Sequence, residues 1–274
     1  MEEADIVERP SWAPVELDLD RPNAARMYDF YLGGSHNFAV DRKLASSVLD
    51  LWPDMPRAMQ ANRGFLRRAV RFLAAQGVRQ FLDIGSGIPT VGNVHEVAQE
   101  AAPGARVVYV DTDPIAVTHS RALLSGDDLT VVLQADGRDP DSLLASPELT
   151  AHLDLSRPVG LLMVALLHFV PDEQKPGEII RRYADQLPPG SWFVMSHGST
   201  DGFTQDGARM EELYRRTPTP VTLRTRPQVE AMLEGVDLVE PGVTFITQWR
   251  PDAGDDDGGD PSWVCTYGAV GRLG

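Results

Sequence analysis

Apolar residues in the middle of the chain alternate between two spacings. Near-continuous apolar runs, which are typical of strands buried on both faces of a parallel sheet, occur at 79–84, 106–111, 129–136, 159–169 and 191–197. Apolar residues recur every three or four positions, as in amphipathic helices, at 89–101, 114–126 and 176–187. Because parallel strands are connected through helices, the pattern predicts a doubly wound α/β domain with a Rossmann-like sheet.

The pattern differs at both ends of the chain. Before the first strand it predicts three helices, one opening near Pro22, one at 41–51 and one at 61–77. After the fifth strand it predicts two helices, at 207–216 and 226–235, and then two strands, at 242–249 and 262–273. We therefore expect an N-terminal helical extension, residues 1–58, followed by a Rossmann-like domain, residues 59–274.

Composition and charge narrow the class of protein. The chain has 274 residues, a net charge of −15 and a single cysteine, Cys265. The acidity disfavours nucleic acid as a partner, since nucleic-acid binders carry basic patches. A lone cysteine allows neither an intrachain disulfide nor a cysteine-rich zinc site, and no other spacing predicts a metal. With no apolar run of ~20 residues and an acidic N-terminus unlike a signal peptide, we expect a cytoplasmic protein that does not enter a membrane.

A glycine-rich turn follows the first predicted strand in the segment QFLDIGSGIPT, residues 80–90. A triphosphate-binding P-loop needs a lysine followed by serine or threonine, and this turn has no lysine. A dinucleotide site prefers a third glycine where this chain has Thr90, so that alternative is weakened but stays open. The turn therefore predicts a nucleoside ligand other than a triphosphate.

An acidic residue, Asp83, lies two positions before Gly85. A carboxylate directed into the turn repels a pyrophosphate and favours a cationic ligand. S-adenosylmethionine carries an ammonium and a sulfonium and no phosphate, and Gly85 and Gly87 allow the backbone to approach it closely. We also expect Pro89 to open the following helix. The turn thus favours S-adenosylmethionine over NAD.

Two further acids end the next two predicted strands. Asp111 can accept hydrogen bonds from two ribose hydroxyls, which NAD and S-adenosylmethionine both have. Asp136 can accept a hydrogen bond from the adenine amino group, although an aspartate before a glycine is also typical of a simple turn. Asp113 precedes Pro114, and we expect it to cap a helix.

Several of these segments together resemble a known group of enzymes. FLDIGSG, VVYVDTDP, LQADGRD and LPPGSWFVMSH resemble successive motifs of class I S-adenosylmethionine-dependent methyltransferases. More narrowly, AARMYDFYLGGSHNFAVDR, QFLDIGSGIPTVGNVHEVAQ and PGVTFITQWRP are similar to one bacterial family that was first catalogued as a domain of unknown function. The resemblance covers roughly residues 20–272.

The resemblance implies a seven-stranded, mostly parallel sheet with strand order 3-2-1-4-5-7-6 and strand seven antiparallel. It also implies that Asp83, Gly85 and Gly87 bind the methionine end of the cofactor, with Asp111 on the ribose and Asp136 on the adenine. It does not identify the methyl acceptor. The residues expected to bind S-adenosylmethionine are Arg63, Asp83, Gly85, Ser86, Gly87, Asp111, Thr112, Asp136 and Gly137.

Candidates for binding the acceptor lie at two places in the sequence. His168 follows the fourth predicted strand, where ligands bind open α/β sheets, and it either acts as a general base, positions the acceptor, or is a structural histidine bonded to backbone. His197 ends the fifth strand and is a second candidate for the same pocket. In the N-terminal extension, a segment that combines aromatic and polar groups is expected to form a lid, or simply to pack on the domain. Its acceptor-binding candidates are Tyr28, Tyr31, His36 and Asn37.

Arg63 begins the helix before the first strand, and it either pairs with the methionine carboxylate or lies on a solvated face. The leading hypothesis is an S-adenosylmethionine-dependent methyltransferase that acts on a small molecule. The alternatives are a regulatory protein that binds this cofactor without catalysis and an NAD-dependent oxidoreductase. The sequence specifies neither the acceptor nor the oligomeric state.

Overall fold

The computed structural model describes residues 20–89, 92–203, 207–215, 217–253 and 259–274. The strands are β1 Gln80–Ile84, β2 Arg106–Asp111, β3 Thr130–Gln134, β4 Gly160–Val164, β5 Trp192–Gly198, β6 Asp237–Leu238, β7 Thr244–Phe245 and β8 Thr266–Arg272. The α-helices are α1 Ala24–Tyr31, α2 Ala39–Leu51, α3 Met55–Ala75, α4 Val94–Ala101, α5 Pro114–Leu123, α6 Pro140–Leu144, α7 Pro147–His152, α8 Pro176–Gln186, α9 Gly207–Tyr214 and α10 Arg226–Met232.

The strands form one mixed sheet in the order β3-β2-β1-β4-β5-β8-β6, and β7 pairs with the N-terminal part of β8. Strands β1 to β5 are parallel, whereas β8 runs antiparallel to β5 from Thr266 to Arg272. The predicted α/β class and the strand order implied by the resemblance are therefore confirmed. The structure also has a short strand, β6, that the sequence pattern does not predict. The strand predicted at 242–249 is reduced to the two residues of β7.

Helices cover both faces of the sheet, which explains why the central strands are apolar on both sides. On one face, Phe65 and Leu73 of α3 pack with Val107 of β2 in one apolar cluster. On the other face, Ile180 and Tyr183 of α8 pack with the opposite side chains of β1, β2, β4 and β5. All five residues of β1 are buried. Burial of this apolar area is the main source of stability for such a layered fold.

Two predicted elements are shorter in the structure, for local reasons. The strand predicted at 159–169 ends at Val164, because Ala165 has a left-handed backbone with φ of 56°, and residues Leu167–Phe169 form a 3₁₀ helix. The helix predicted at 89–101 begins at Val94, where Asn93 and Glu96 form a capping box. The expectation that Pro89 opens this helix is therefore wrong.

The N-terminal extension packs onto the helices that follow it. Met27 and Tyr31 of α1 share an apolar cluster with residues of α2 and with Met210 and Tyr214 of α9. A buried ion pair, with Arg26 Nε 3.1 Å from Asp41 Oδ1, joins α1 to α2. The boundary predicted between residues 58 and 59 falls inside α3, so the extension and the sheet domain share one continuous helix. Among the described residues, no helix has the length and apolar composition needed to cross a lipid bilayer.

Candidate active site

A cavity of about 410 Å³ opens along the carboxyl ends of the parallel strands. Its wall follows the sheet from the end of β3, past β2 and β1, to the loop after β4 and the end of β5. Helices α1, α3 and α9 and the segment 218–223 enclose the side nearest β4 and β5. This edge of a doubly wound sheet is where such folds bind ligands.

The glycine turn after β1 forms one part of the wall. Gly85 and Gly87 both have left-handed backbones, with φ of 72° and 67°, which glycine adopts without strain. The backbone N–H of Gly85 donates to Val110 O at 2.8 Å, and the N–H of Gly87 donates to Asp111 Oδ2 at 2.7 Å. The end of β2 therefore holds the turn in place, and this needs glycine at both positions.

Three polar groups around the turn are buried in an unusual way. Arg63 and Ser86 each have an atom without a hydrogen-bond partner among the described residues, and Asp83 has a shifted pKa. Burial raises the pKa of Asp83 to about 7, the neighbouring Arg63 guanidinium opposes that rise, and Asp111 adds to it. Arg63 donates from Nη2 to Asn93 Oδ1 at 3.1 Å, but its Nε has no hydrogen-bond partner. The Ser86 hydroxyl likewise has none. Because buried polar groups are normally hydrogen-bonded, these groups mark a place for a polar ligand.

The acids at the ends of β2 and β3 also line the cavity. Asp111 accepts from the backbone N–H groups of Gly87 and Asp113, one on each carboxylate oxygen. Each oxygen keeps a lone pair that a ribose hydroxyl could reach. Asp136 is partly exposed and is bound by the Arg138 guanidinium, which lowers its pKa. Thr112 and Gly137 also line the cavity. Asp113 caps α5, as the sequence predicts.

His168 lines the cavity on the 3₁₀ helix after β4. The backbone N–H of Gly198 donates to its Nδ1 at 3.2 Å, so in the neutral ring the proton is on Nε2. Burial, with His197 and Arg224 nearby, lowers the pKa of His168 well below its usual value. A general base needs a free lone pair and a pKa near the working pH. The geometry therefore makes His168 a hydrogen-bond donor through Nε2 and argues against the predicted role as a base.

This assignment predicts that His168 does not titrate near neutral pH. We expect its Nδ1 to stay unprotonated and its Nε2 to stay protonated between about pH 5.5 and 8, since desolvation disfavours the imidazolium. The measurement is ¹⁵N NMR of protein labelled in histidine, with His168→Gln to assign the signal. A His168 titration midpoint between pH 6 and 7 contradicts the assignment.

His197 does not line the cavity, so its predicted role in binding the acceptor is not supported. The side chain is fully buried behind the loop after β4, and burial lowers its pKa to about 3. Arg224 Nη1 donates to His197 Nε2 at 2.8 Å, and Nδ1 therefore donates to Gly198 O at 2.7 Å. Alternation along β5 explains the outcome, because consecutive side chains of a strand point to opposite sides.

Of the four acceptor-binding candidates in the extension, two line the cavity and two do not. Tyr28 and Tyr31 lie on α1 and face the cavity. The His36 ring contacts His119 with ring centroids 3.8 Å apart and planes tilted by 54°, and the Asn37 amide donates to Asp29 Oδ2 at 2.8 Å. These contacts fold the loop after α1 onto α5, away from the cavity. His36 and Asn37 are therefore corrected to structural residues.

A buried chain of hydrogen bonds, which sequence reasoning missed, fixes the helices around the cavity. The Ala165 N–H donates to Ser196 Oγ at 2.9 Å, and Ser196 Oγ donates to Asn62 Oδ1 at 2.7 Å. Asn62 Nδ2 then donates to the Tyr28 hydroxyl at 3.1 Å, which lies 3.3 Å from Met59 O. The chain joins β4, β5, α3 and α1. A polar Asn62 on the otherwise apolar face of α3 was the available sequence signal.

The fold and the site together define a class of nucleoside-cofactor enzymes, the class I methyltransferases, by strand order and by the acids at the ends of β1, β2 and β3. A family model described as S-adenosyl methyltransferase matches residues 10–274, and the chain belongs to that family. It is an S-adenosylmethionine-dependent methyltransferase.

Two solved structures are similar over nearly the whole chain. A DUF574 family protein from Streptomyces avermitilis MA-4680 is 43% identical, with a TM-score of 0.89, covering 94% of this chain and 99% of that one. A predicted methyltransferase from Thermobifida fusca YX is 39% identical, with a TM-score of 0.90, covering 96% of this chain and 99% of that one. A comparison with curated proteins gives no significant match.

Proposed function

We propose that the enzyme methylates a small molecule bound beside the cofactor, in the part of the cavity between α1, α9 and the loop after β4. The observation that supports this is the continuity of the cavity. It extends from Asp136 and Asp111 past the glycine turn to Tyr31 and Tyr214, which lie in the packed N-terminal cluster. A pocket walled by helices on this side accommodates a compact acceptor more readily than a duplex or a folded protein.

The residues of the β1 to β3 edge fit S-adenosylmethionine. The Asp83 carboxylate suits the ammonium of the methionine part, and the incompletely bonded Arg63 guanidinium suits its carboxylate. The left-handed glycines leave space for close approach, and the lone pairs of Asp111 suit ribose hydroxyls. Asp136 and Gly137 lie at the β3 end of the cavity, where the adenine would reach.

The protein's part in methyl transfer is to position groups and exclude water. S-adenosylmethionine, held by the residues described above, would supply a methyl group that its positively charged sulfur activates for transfer. The Gly198 N–H occupies Nδ1 of His168, so we expect its Nε2–H to donate a hydrogen bond that orients the acceptor atom in the cavity. Tyr28, held by Asn62, stands on α1 at the same side of the cavity. Correct alignment of the reactants is the main catalytic requirement for such a displacement.

A non-catalytic regulatory protein would need the cofactor site but no pocket next to it. Here the cavity continues beyond the cofactor residues into an enclosed apolar space, which favours catalysis. The NAD-dependent alternative requires a pyrophosphate beside Asp83, whose ionised form would repel it.

The proposal predicts where a labelled methyl group is transferred. The enzyme is incubated with methyl-labelled S-adenosylmethionine and a bacterial extract separated into small molecules, protein and nucleic acid. We expect label in the small-molecule fraction, and at least tenfold less with the Asp83→Asn variant. Label that is recovered mainly in protein or nucleic acid contradicts the proposal. The exposed-site variant Asp185→Asn, on α8, controls for the loss of one charge.

A further inference from the structure

The cavity has a charged part and an apolar part. Its charged wall residues all stand at the ends of β1 to β3 or beside β1 on α3, and they are Arg63, Asp83, Asp111, Asp113, Asp136 and Arg138. The other part lies beyond β4, and we call it the acceptor pocket. Its wall includes Tyr31, Trp52, Phe169, Phe203, Met210 and Tyr214. A group bound in the acceptor pocket therefore lies outside the charged part of the cavity.

Aromatic rings form much of the acceptor pocket, and neighbouring rings meet at angles between 44° and 76°. Trp52 and Phe203 meet with ring centroids 5.1 Å apart and planes at 76°. Phe169 lies between His168, at 4.3 Å, and Tyr214, at 6.3 Å. Ring edges are electropositive and ring faces electronegative, so such a wall offers a planar aromatic guest both kinds of surface. A third ring packed among them gains more than an aliphatic group of equal area.

The Tyr31 hydroxyl in this wall is incompletely hydrogen-bonded. Tyr31 is 5% exposed, and among the described residues its hydroxyl has no partner other than the neighbouring Tyr214 hydroxyl. Tyr214 is close enough to influence the pKa of Tyr31, and burial raises the pKa of both phenols, that of Tyr214 to about 12. Both groups therefore stay neutral at physiological pH. Two phenols that share one hydrogen bond still have one O–H donor and unused lone pairs, and a ligand group that bonds to these satisfies polar groups that are otherwise buried unpaired.

We infer that the methyl acceptor is an uncharged aromatic compound with a hydroxyl or similar hydrogen-bonding group that pairs with Tyr31 in the acceptor pocket. The inference rests on the proposed function and adds the chemical class of the acceptor. The aromatic wall recognises the ring, and the Tyr31 hydroxyl recognises the polar group. A charged acceptor is rejected, because an ion that leaves water for this apolar pocket finds neutral hydroxyls in place of a counter-ion.

The test measures binding of four matched probes by calorimetry to protein saturated with S-adenosylhomocysteine. The probes are naphthalene, 2-naphthol, 2-naphthoate and 2-naphthylmethylammonium, which share a ring and differ in polarity and charge. We expect 2-naphthol to bind at least tenfold more tightly than either ion. The Tyr31→Phe variant, which keeps the ring, should weaken 2-naphthol about fivefold to tenfold and change naphthalene less than twofold.

Tyr267→Phe is the matched control, since its hydroxyl bonds to Asp201 and its ring is not part of the cavity wall. This variant should leave the affinity of every probe unchanged, and the melting temperature of each variant checks its fold. Either ion binding as tightly as 2-naphthol overturns the inference, as does an equal loss of naphthalene and 2-naphthol in Tyr31→Phe or the absence of binding by all four probes. Failure of the proposed function is a separate result, namely methyl label in macromolecules.

Discussion

Replacing Asp83 with asparagine should weaken S-adenosylmethionine binding by at least about 100-fold. Asp83 is buried near the end of β1 and lines the cavity, and we propose that its carboxylate binds the ligand's ammonium. Removing one partner of a buried ion pair costs about 3–5 kcal/mol, because the other charge stays desolvated without compensation. Asparagine has nearly the same size as aspartate and keeps one acceptor oxygen, so the loss of affinity measures the contribution of the negative charge. Isothermal calorimetry at pH 7.5 gives the dissociation constants.

The same substitution should not destabilise the free protein. The folded-state pKa of Asp83, about 7, is above the usual value of 3.8. A group whose pKa rises on folding adds stability below its unfolded pKa and loses that contribution as pH rises through the folded pKa. At pH 8 the free wild type therefore keeps an ionised acid in a buried site, and Asp83→Asn should melt at the same temperature or higher. Retaining a costly group at a ligand site is typical of function.

The pH dependence of binding provides the control for this prediction. Below pH 7, Asp83 in the free wild type gains a proton that the cationic ligand must displace, so its affinity should fall by up to about tenfold per pH unit. In Asp83→Asn this fall between pH 7 and 5.5 should disappear, while in Asp185→Asn it should persist. An Asp83→Asn variant with wild-type affinity contradicts the assignment of the cofactor site.

Much of the fold was predictable from the chain, because the central strands are buried on both faces and their apolar runs are unbroken. The strand order came from the resemblance, since hydrophobic periodicity does not specify which strands are neighbours. The short helices α6 and α7 were missed, because five or six residues carry too little periodicity to identify a helix. The end of β4 was also missed, since the left-handed backbone of Ala165 interrupts a segment that is apolar throughout.

The cofactor side of the site was more predictable than the acceptor side. Asp83, Asp111 and Asp136 each follow a recognisable strand, and parallel strands bring their carboxyl ends to one edge. The acceptor pocket combines Tyr31, Trp52 and Phe203 with α9, from distant parts of the chain, so no local spacing identifies it. The two histidines illustrate the limit. His168 follows β4 and His197 lies within β5, yet only His168 lines the cavity, whereas His197 is buried against Arg224.

The second large effect concerns Arg224, the arginine that donates a hydrogen bond to the buried His197. This arginine is 2% exposed, and it donates to Leu167 O at 3.2 Å and to Val170 O at 2.9 Å, on either side of His168. It also donates to Asp172, whose side chain is 71% exposed. Arg224 thus fixes the loop that carries His168. It acts as a positioning residue outside the cavity wall.

Arg224→Met should lower the free energy of unfolding by about 3 kcal/mol, because two buried carbonyls and His197 lose their donor. For a chain of this size that corresponds to a melting temperature lower by roughly 6–12 °C, measurable by calorimetry. Arg226→Met is the matched control: Arg226 pairs with Glu230 at 2.8 Å on the exposed face of α10, and its loss should cost less than about 0.5 kcal/mol.

Below its melting temperature, Arg224→Met should also show a changed ¹⁵N signal for His168, since Leu167 and Val170 are no longer held. If Arg224→Met melts at the wild-type temperature and leaves the His168 signal unchanged, the positioning role is contradicted. If the His168 signal changes in Arg224→Met and not in Arg226→Met, the effect lies in the loop after β4.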